Sequence, residues 1–200
     1  SVHQDKTGTI WIGAGKQLAY LSGETIVSVD YFNEAAGAIR KIFTAKQGGI
    51  YIASMKGLWH MNNGKSTLIP APADQKADNV FAYYRDKQGN EFVGSSHGLY
   101  LIEKGHIVKY KKNGLDINTP VYFIFQDKEG YYWLGSNNGL YKWDGKNSPV
   151  IYNTNNGLAG WETNRSAGII DSKGRMWIGT DRGLSCFEAG FNSEVIPVPK

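Results

Sequence analysis

The residue types that most often carry catalysis or bind metals are few and scattered in this sequence. The four histidines (His3, His60, His97 and His106) stand far apart, and none has a second histidine or a cysteine at metal-ligand spacing. Cys186 is the only cysteine, so no disulfide can form within the chain. Neither a Gly-x-Ser-x-Gly segment nor a glycine-rich phosphate loop ahead of a helix occurs. The sequence therefore predicts no catalytic residue, no metal site and no cofactor.

Binding chemistry is concentrated in one long loop, residues 153–164, which reads NTNNGLAGWETN. Trp161 offers an apolar plate and Glu162 an acceptor, while Asn164 and the adjacent Arg165 add donors. Such a mixture of one aromatic with a few polar groups is typical of small-molecule sites. A purely structural interpretation is also open, in which residues 153–156 form a solvated turn and Trp161 fills a gap between repeating units. We predict a ligand site at these four residues.

Composition indicates many short strands joined by tight turns. The chain has 200 residues with 25 glycines and 13% aromatic residues. Its net charge of +4 comes from interspersed charges, and without a basic run no nucleic-acid partner is expected. No stretch reaches the roughly 20 apolar residues of a membrane span, so no membrane contact is expected from this part. Because neither an initiator methionine nor a signal peptide precedes Ser1, we expect a piece of a longer protein.

A repeat of about forty residues runs through the whole sequence. The repeat cores are residues 5–18, 45–58, 86–99, 127–140 and 171–184. Each core carries an aromatic residue, and successive aromatics are 40, 41, 41 and 44 residues apart: Trp11, Tyr51, Phe92, Trp133 and Trp177. A glycine stands three residues before each aromatic: Gly8, Gly48, Gly89, Gly130 and Gly174. This regularity predicts one structural unit per repeat.

Each repeat position has a physical reason. Asp at the first position and Gly at the fourth suit a type I turn, in which the carboxylate accepts backbone N–H groups. The aromatic segment that follows alternates as a strand, and a later Gly-Leu pair marks a second turn. A third turn is predicted at pairs such as Asn63-Gly64 and Ala189-Gly190. Each unit is therefore expected to hold four short antiparallel strands.

Four-stranded sheets that repeat every forty or so residues are the blades of a β-propeller. We predict an all-β fold with about five blades over residues 1–190, the aromatic column packing between blades, and an exit segment at 191–200. Because the chain starts just before an Asp-x-x-Gly turn, the first blade is expected to lack its innermost strand. An incomplete arc of a roughly seven-bladed propeller is favoured over a closed five-bladed one, and its open faces predict self-association.

In a propeller, the loops that enter the innermost strands share one face with the turns that end the aromatic strands. Varied polar residues would lie on that face beside the long loop: Lys56, His97, Asn137, Asn138, Asp181 and Arg182. We predict that His97, Asn138 and Arg182 contribute to binding, with ordinary solvent-exposed loops as the alternative. The predicted partner is a small molecule or an oligosaccharide, and the sequence does not identify it.

The signature D-x-x-G-x-x-W-[IL]-G-[ST]-x-x-G-L occurs from Asp127 to Leu140 and from Asp171 to Leu184. It resembles the two-component regulator propeller repeat, a family that forms the sensor region of hybrid histidine kinases, mostly in bacterial periplasms. The resemblance implies that the chain is a periplasmic sensor module, and that the protein it comes from is an inner-membrane receptor with kinase activity. Residues 156–165 and the last repeat resemble the end of such a propeller, just before a triple-tyrosine domain. The first two repeats depart from the signature at three positions: Gln17, Ala45 and Ala53.

Two other functions stay open beside the sensor. One is a scaffold for protein–protein interaction or dimerisation. The other is a carbohydrate-acting or streptogramin-lyase-like propeller enzyme. Sialidases carry an S-x-D-x-G-x-x-W box, whereas Asp and Gly are three apart here, and streptogramin lyases follow Trp with a Phe-Thr-Glu type segment. These likenesses extend to the scaffold alone, so we predict that the chain is not an enzyme.

Overall fold

The computed structural model describes residues 1–29, 32, 36–112 and 115–188. Over these residues the chain forms nineteen β-strands in five antiparallel sheets. The chain divides into two compact units, residues 1–109 and residues 110–200. The first unit contains three of the sheets and the second contains two.

The three sheets of the first unit follow each other along the chain, and each is a simple up-and-down meander. The first contains β1 (Val2–Gln4), β2 (Ile10–Ala14), β3 (Gln17–Ser22) and β4 (Thr25–Ser28). The second contains β5 (Ile39–Thr44), β6 (Ile50–Ser54), β7 (Gly57–Asn62) and β8 (Lys65–Leu68). The third contains β9 (Val80–Arg85), β10 (Glu91–Ser95), β11 (Gly98–Glu103) and β12 (His106–Lys109).

The second unit repeats the same meander in two sheets. The fourth sheet contains β13 (Val121–Gln126), β14 (Tyr132–Ser136), β15 (Gly139–Trp143) and β16 (Val150–Tyr152). The fifth contains β17 (Thr163–Ile170), β18 (Met176–Thr180) and β19 (Gly183–Phe187). The predicted turn at Ala189-Gly190 and the predicted exit segment 191–200 lie outside the described residues.

The sheets confirm the predicted fold class, an all-β chain of propeller blades. The expectation that the first blade lacks its innermost strand is wrong, because β1 pairs with β2 through Val2↔Ile12, His3↔Trp11 and Gln4↔Ile10. The three residues of β1 are too few to show an alternating pattern. Its identity as a strand follows only from its pairing with β2.

Burial along the second strand of each sheet shows how the sheets stack. All five residues of β6 are buried, because the first sheet covers one face of the second sheet and the third covers the other. In β18, by contrast, buried and half-buried residues alternate. Strands covered on both faces become continuously apolar, whereas strands covered on one face alternate. The stacking of sheets on both of its faces therefore explains why β6 is buried along its whole length.

The first turn of each repeat positions the aromatic side chain through the aspartate. In the first sheet the Asp5 carbonyl accepts the Gly8 N–H at 3.1 Å, and Gly8 has a φ of 89°, which favours glycine. The Asp5 Oδ1 accepts the backbone N–H of Thr7 and Thr9, and its Oδ2 accepts the Trp11 indole N–H at 2.8 Å. The same carboxylate–indole bond joins Asp127 to Trp133 and Asp171 to Trp177. A single carboxylate thus fixes both the turn and the orientation of the ring six residues later.

These hydrogen bonds favour the ionised carboxylate. At Asp171 the indole N–H of Trp177, together with the Arg175 guanidinium, holds the pKa well below its usual range. At Asp5 partial burial opposes ionisation, but the bonds from Thr7, Trp11 and Thr9 outweigh it and lower the pKa. An ionised acceptor strengthens each bond to the indole and the turn.

The second and third sheets replace this bond with a different one. Ala45 offers no carboxylate, and the Tyr51 hydroxyl instead lies 3.1 Å from Gln47 Oε1 and 3.4 Å from Glu91 Oε1 in the next sheet. Tyr83 donates to the same oxygen at 2.8 Å, and the two tyrosine rings lie 4.8 Å apart. Burial, followed by Glu91, raises the pKa of both tyrosines. A buried carboxylate therefore joins the second sheet to the third.

In the second unit, an aromatic cluster fills the space between the two sheets. Trp133 is fully buried, and its ring lies 5.7 Å from Tyr152 and 6.0 Å from Phe187. Trp11 and Trp177, at the same position of the first and fifth sheets, are half-buried. Phe92, at that position of the third sheet, is buried.

The small residue of the W-x-G segment leaves room for a neighbouring ring. Phe123 of β13 lies against Gly135 of its own sheet and Gly168 of the fifth sheet. A Cβ added at Gly135 would come within 2.2 Å of the Phe123 ring, and one at Gly168 within 2.5 Å. Glycine at both places therefore allows the two sheets to approach each other closely.

Candidate functional site

The innermost strands of the second and fourth sheets share an irregularity at their second residue, where the pairing shifts by one. The break occurs at Arg40 of β5, between Ile39 and Lys41, and at Tyr122 of β13, between Val121 and Phe123. Arg40 donates to the side-chain oxygen of Asn79, and Tyr122 donates to Glu162 Oε1 at 2.7 Å. Each acceptor directly precedes the innermost strand of the following sheet. A bulge residue of one blade thus contacts the entry to the next blade.

The bulge of β17 is larger than the others. Thr163 pairs with Thr180 and Gly168 with Ile178, so the four residues 164–167 lie opposite the single residue Gly179. The last repeat step of 44 residues is three longer than the step before it, and two of these additional residues lie in the bulge. Thr163 is fourteen positions from Trp177, whereas Val121, at the corresponding place, is twelve positions from Trp133.

The enlarged bulge carries two of the predicted ligand residues and a strained one. Asn164 and Arg165 are exposed, and Ser166 has a φ of 56°, which is uncommon for a residue other than glycine. The Asn164 side chain donates to the Thr180 carbonyl at 2.8 Å, which fixes the bulge against the turn after β18. Strained, well-anchored backbone of this kind is found most often at functional sites.

Tyr122, Glu162 and Arg165 form one interacting group beside the bulge. The Arg165 guanidinium lies 5.8 Å from the centre of the Tyr122 ring, a cation–π distance. Burial, together with the bond to Glu162, raises the pKa of Tyr122 to about 12, so its hydroxyl stays a donor at neutral pH. Tyr122 carries no signal in the sequence, because its strand reads as a continuous apolar run and only the break in pairing separates this residue from its neighbours.

The turn after β18 closes the same group. Asp181 accepts the Glu162 N–H through Oδ1 at 3.2 Å and donates its own N–H to the Glu162 carbonyl at 2.9 Å. A Cβ at Gly160 would come within 2.1 Å of Asp181 Oδ1, so the loop can approach the turn only with glycine there. Arg182 Nε lies 3.8 Å from the Asp181 carboxylate. Of the predicted residues, Glu162, Asn164, Arg165 and Arg182 are therefore brought together.

Trp161 and Asn138 lie at the edges of this group. Trp161 is 46% exposed, so the alternative in which it fills a gap between blades does not describe it. Asn138 is exposed in the turn after β14, and the carbonyl of Ser136 in the same turn accepts the Thr163 hydroxyl at 3.1 Å. Together they add an apolar plate and an amide to a surface with two guanidinium and two carboxylate groups.

His97 lies in the first unit, where it has its own neighbours. Its Nδ1 lies 3.2 Å from Asp78 Oδ1 and 2.8 Å from the Ser96 hydroxyl, and its carbonyl accepts the Lys109 ammonium. Asp78 was not among the predicted residues. Its place in a polar loop gave no signal that it would approach His97.

In residues 1–29, 32, 36–112 and 115–188, no three His, Cys, Asp or Glu side chains are grouped so that they could hold a metal ion. Over the same part of the chain, no helix has the length and apolar character needed to cross a membrane.

The repeat in the fourth sheet matches a known family. Residues 115–138 match the family model described as the two component regulator propeller. The chain carries a two-component regulator propeller repeat. The matched residues include Asp127, Gly130 and Trp133, on which the predicted resemblance was based, so the predicted resemblance is confirmed. Among curated proteins, none matches the chain.

Solved structures similar to this chain are β-propellers of larger proteins. The extracellular domain of BT4673 from B. thetaiotaomicron, named as a hybrid two component system, is 24% identical with a TM-score of 0.74. The match covers 93% of this chain and 27% of that one. The extracellular domain of BT3049 from the same organism, also named as a hybrid two component system, is 20% identical with a TM-score of 0.70 over the same shares. This chain therefore spans about a quarter of the length of these structures.

A propeller enzyme is among the similar structures. Virginiamycin B lyase from Staphylococcus aureus, crystallised as an inactive variant with quinupristin, is 12% identical with a TM-score of 0.64. The match covers 96% of this chain and 70% of the lyase. At such identity the likeness concerns the fold alone.

Proposed function

We propose that this chain is part of the extracytoplasmic sensor propeller of a membrane-anchored two-component receptor, and that this receptor is a histidine kinase. The observation that carries the proposal is the family match at residues 115–138. It is supported by two similar structures, which are extracellular domains of proteins named as hybrid two component systems. The chain itself is assigned binding and no catalysis.

We place the ligand contact at the enlarged bulge of β17. Among the described residues, this surface combines the exposed Trp161 with Arg165 and Arg182, whose guanidinium groups suit carboxylate, phosphate or hydroxyl oxygens. A small polar molecule or an oligosaccharide fits such a mixture. For a signal to result, the ligand must bind two conformations of the receptor with different affinity.

A ligand screen with one variant tests this placement. We expect that a neutral or acidic oligosaccharide, or a small metabolite, raises the melting temperature of the chain and of the intact receptor ectodomain. Arg165→Ala should weaken the binding of that ligand at least tenfold, measured by isothermal titration calorimetry, because a charge-assisted hydrogen bond contributes about 1.5–3 kcal/mol. Lys173→Ala removes an exposed charge from the turn before β18 and is the matched control.

Two results would contradict the proposal. If the Arg165→Ala variant and the unchanged chain bind the ligand with equal affinity, the bulge is not part of the ligand site. If no compound shifts the melting temperature, and if deletion of the propeller from the receptor leaves signalling unchanged, the chain is not a sensor.

A second function, self-association, is favoured by the outer face of the fifth sheet. Ile169 pairs with Trp177 and Trp177 with Cys186, so these side chains share one face, which Leu184 extends. Ile169 is 57% exposed and Leu184 is 62% exposed. On the fourth sheet, the face that carries Trp133 is covered by the next sheet. We propose that a second copy of the chain covers the Trp177 face in the same manner.

Light scattering across a concentration series tests this second function. The chain is expected to form dimers or larger species, and Leu184→Asp should shift it to a monomer, because a charge at the centre of an apolar interface is desolvated without a partner. Glu188→Lys, an exposed change just after the same strand, serves as the control. A chain that is monomeric at every concentration would contradict self-association. That result would not bear on the proposed ligand site.

A further inference from the structure

A cavity lies in the first unit, between the first and second sheets. Its volume is about 850 Å³, within the range of sites for small molecules. Trp11 and Tyr20 line one wall, and Met61 of β7 lines the other. This cavity is at the end of the sheets that carries the Asp-x-x-Gly turns, because Asp5 and Gly48 also line it. None of the residues predicted from the sequence to bind a ligand contributes to it.

The cavity exists because two large rings are replaced by smaller side chains. In the fourth sheet Gly135, the glycine of the W-x-G segment, pairs with Leu140. Leu140 in turn pairs with Tyr152 on the outermost strand. In the first sheet the corresponding leucine is Leu18, which pairs with Gly13, and its carbonyl accepts the N–H of Val29 at 2.8 Å. Val29 therefore occupies the position of Tyr152.

The opposite wall of the cavity also has a smaller side chain than the corresponding position in the second unit. In the fifth sheet Phe187 pairs with Met176, the residue just before Trp177. In the second sheet Met61 pairs with Ile50, the residue just before Tyr51. Met61 therefore occupies the position of Phe187. Both Val29 and Met61 line the cavity, at the positions where the second unit has rings.

The consequence is visible at the tryptophan. Trp133 is fully buried beneath Tyr152 and Phe187, whereas Trp11 at the same repeat position is half-buried. The Trp11 indole N–H is bound to Asp5 at 2.8 Å, so the ring presents its apolar face to the cavity. Tyr20, with its ring centre 5.5 Å away at 52°, adds a second aromatic wall.

We propose that this cavity binds a neutral small molecule through an aromatic ring, which takes the place that Tyr152 and Phe187 occupy against Trp133. The charge preference follows from the walls. The Asp5 carboxylate is already bound by Thr7, Thr9 and Trp11, and its charge is matched by the ammonium of the exposed Lys6, the second charged residue of the lining. The remaining rim is built from hydroxyl and amide groups such as Ser28, Thr44 and Asn62. Aromatic rings gain stabilisation from such stacking beyond the area they bury. The inference does not depend on the proposed sensor function.

The test uses p-cresol as the probe and the 200-residue chain as the protein. We expect p-cresol to shift the Trp11 indole N–H resonance in a ¹H–¹⁵N spectrum, assigned with a Trp11→Phe variant, and to saturate with a dissociation constant on the order of millimolar. Cyclohexanol, which has similar size but no aromatic ring, should bind at least fivefold more weakly. Methyl glucoside should cause no shift of this resonance.

A variant that refills the cavity separates this site from any other. Val29→Tyr combined with Met61→Phe restores the two rings of the second unit, and we expect it to abolish the p-cresol shift and to raise the melting temperature by several degrees. Ile26→Tyr, on the opposite face of β4 where Ile26 is 63% exposed, is the matched control and should leave probe binding unchanged. Should the double variant fail to fold, Met61→Phe alone is expected to weaken the probe at least threefold.

The proposal is overturned by any of three results. The first is a Trp11 resonance that does not respond to p-cresol at saturating concentration. The second is equal or tighter binding of methyl glucoside or cyclohexanol. The third is probe binding that persists in the refilled variant. Loss of ligand binding at Arg165 has no bearing on any of them.

Discussion

Replacing Trp133 with alanine is expected to lower the free energy of unfolding by about 3–5 kcal/mol, the usual range for a buried Trp-to-Ala change. The indole is fully buried, contacts the rings of Tyr152 and Phe187, and donates to Asp127 at 2.7 Å. Alanine would leave a cavity between the fourth and fifth sheets and would remove the donor from the Asp127 carboxylate. Urea denaturation followed by circular dichroism measures the loss.

The same change at Trp177 provides the matched control. This indole occupies the same repeat position and bonds Asp171 at 3.0 Å, but it is only half-buried. Trp177→Ala should therefore cost roughly 1–2 kcal/mol, in proportion to the apolar area that it removes from the protein interior. If the two variants lose equal stability, burial between sheets is not what the repeated aromatic contributes.

The repeat was readable from the sequence because its turn chemistry is local. Asp and Gly three residues apart define a turn, and the bond from Asp127 to Trp133 spans only six residues. Local constraints of this kind recur in each repeat with the same spacing. For that reason the fold class and the family resemblance could be predicted from the sequence alone.

Features that depend on pairing between strands could not be predicted in the same way. The sequence shows that the last repeat is longer, but a count of residues does not say whether the additional ones extend a loop or bulge a strand. The pairing of Thr163 with Thr180 decides it, and it places Asn164, Arg165 and Ser166 in the bulge of β17. The contribution of Tyr122 was missed for the same reason.

The cavity beside Trp11 was hidden by the hydrophobic pattern itself. Val29 and Met61 are apolar, as are the rings of Tyr152 and Phe187 at the corresponding positions, so all four satisfy the alternation expected of a blade. What differs is side-chain volume across two facing strands. Volume becomes informative only when the register shows which positions face each other.

Glu91 is the polar residue whose replacement should lower the free energy of unfolding the most. Its side chain is buried between the second and third sheets and accepts the Tyr83 hydroxyl at 2.8 Å and the Tyr51 hydroxyl at 3.4 Å, with the Lys46 ammonium at 3.9 Å. Glu91→Leu would remove the acceptor while filling similar space, leaving the Tyr83 hydroxyl buried without it. We expect a loss of about 1–3 kcal/mol in the free energy of unfolding, the cost of an unsatisfied buried donor at Tyr83, while the Tyr51 hydroxyl keeps Gln47 Oε1 at 3.1 Å as its acceptor.

A double-mutant cycle between Glu91 and Tyr83 isolates this effect from a simple packing defect. Tyr83→Phe removes the stranded hydroxyl, so adding it to Glu91→Leu should recover at least 1 kcal/mol, whereas Tyr83→Phe alone should be destabilising by about 1 kcal/mol. Glu91→Gln keeps an acceptor for Tyr83 and should lose less than Glu91→Leu. Urea midpoints of the four cycle members supply the coupling energy. A coupling near zero would mean that the hydrogen bond between Glu91 of β10 and Tyr83 of β9 does not contribute to the stability of the third sheet.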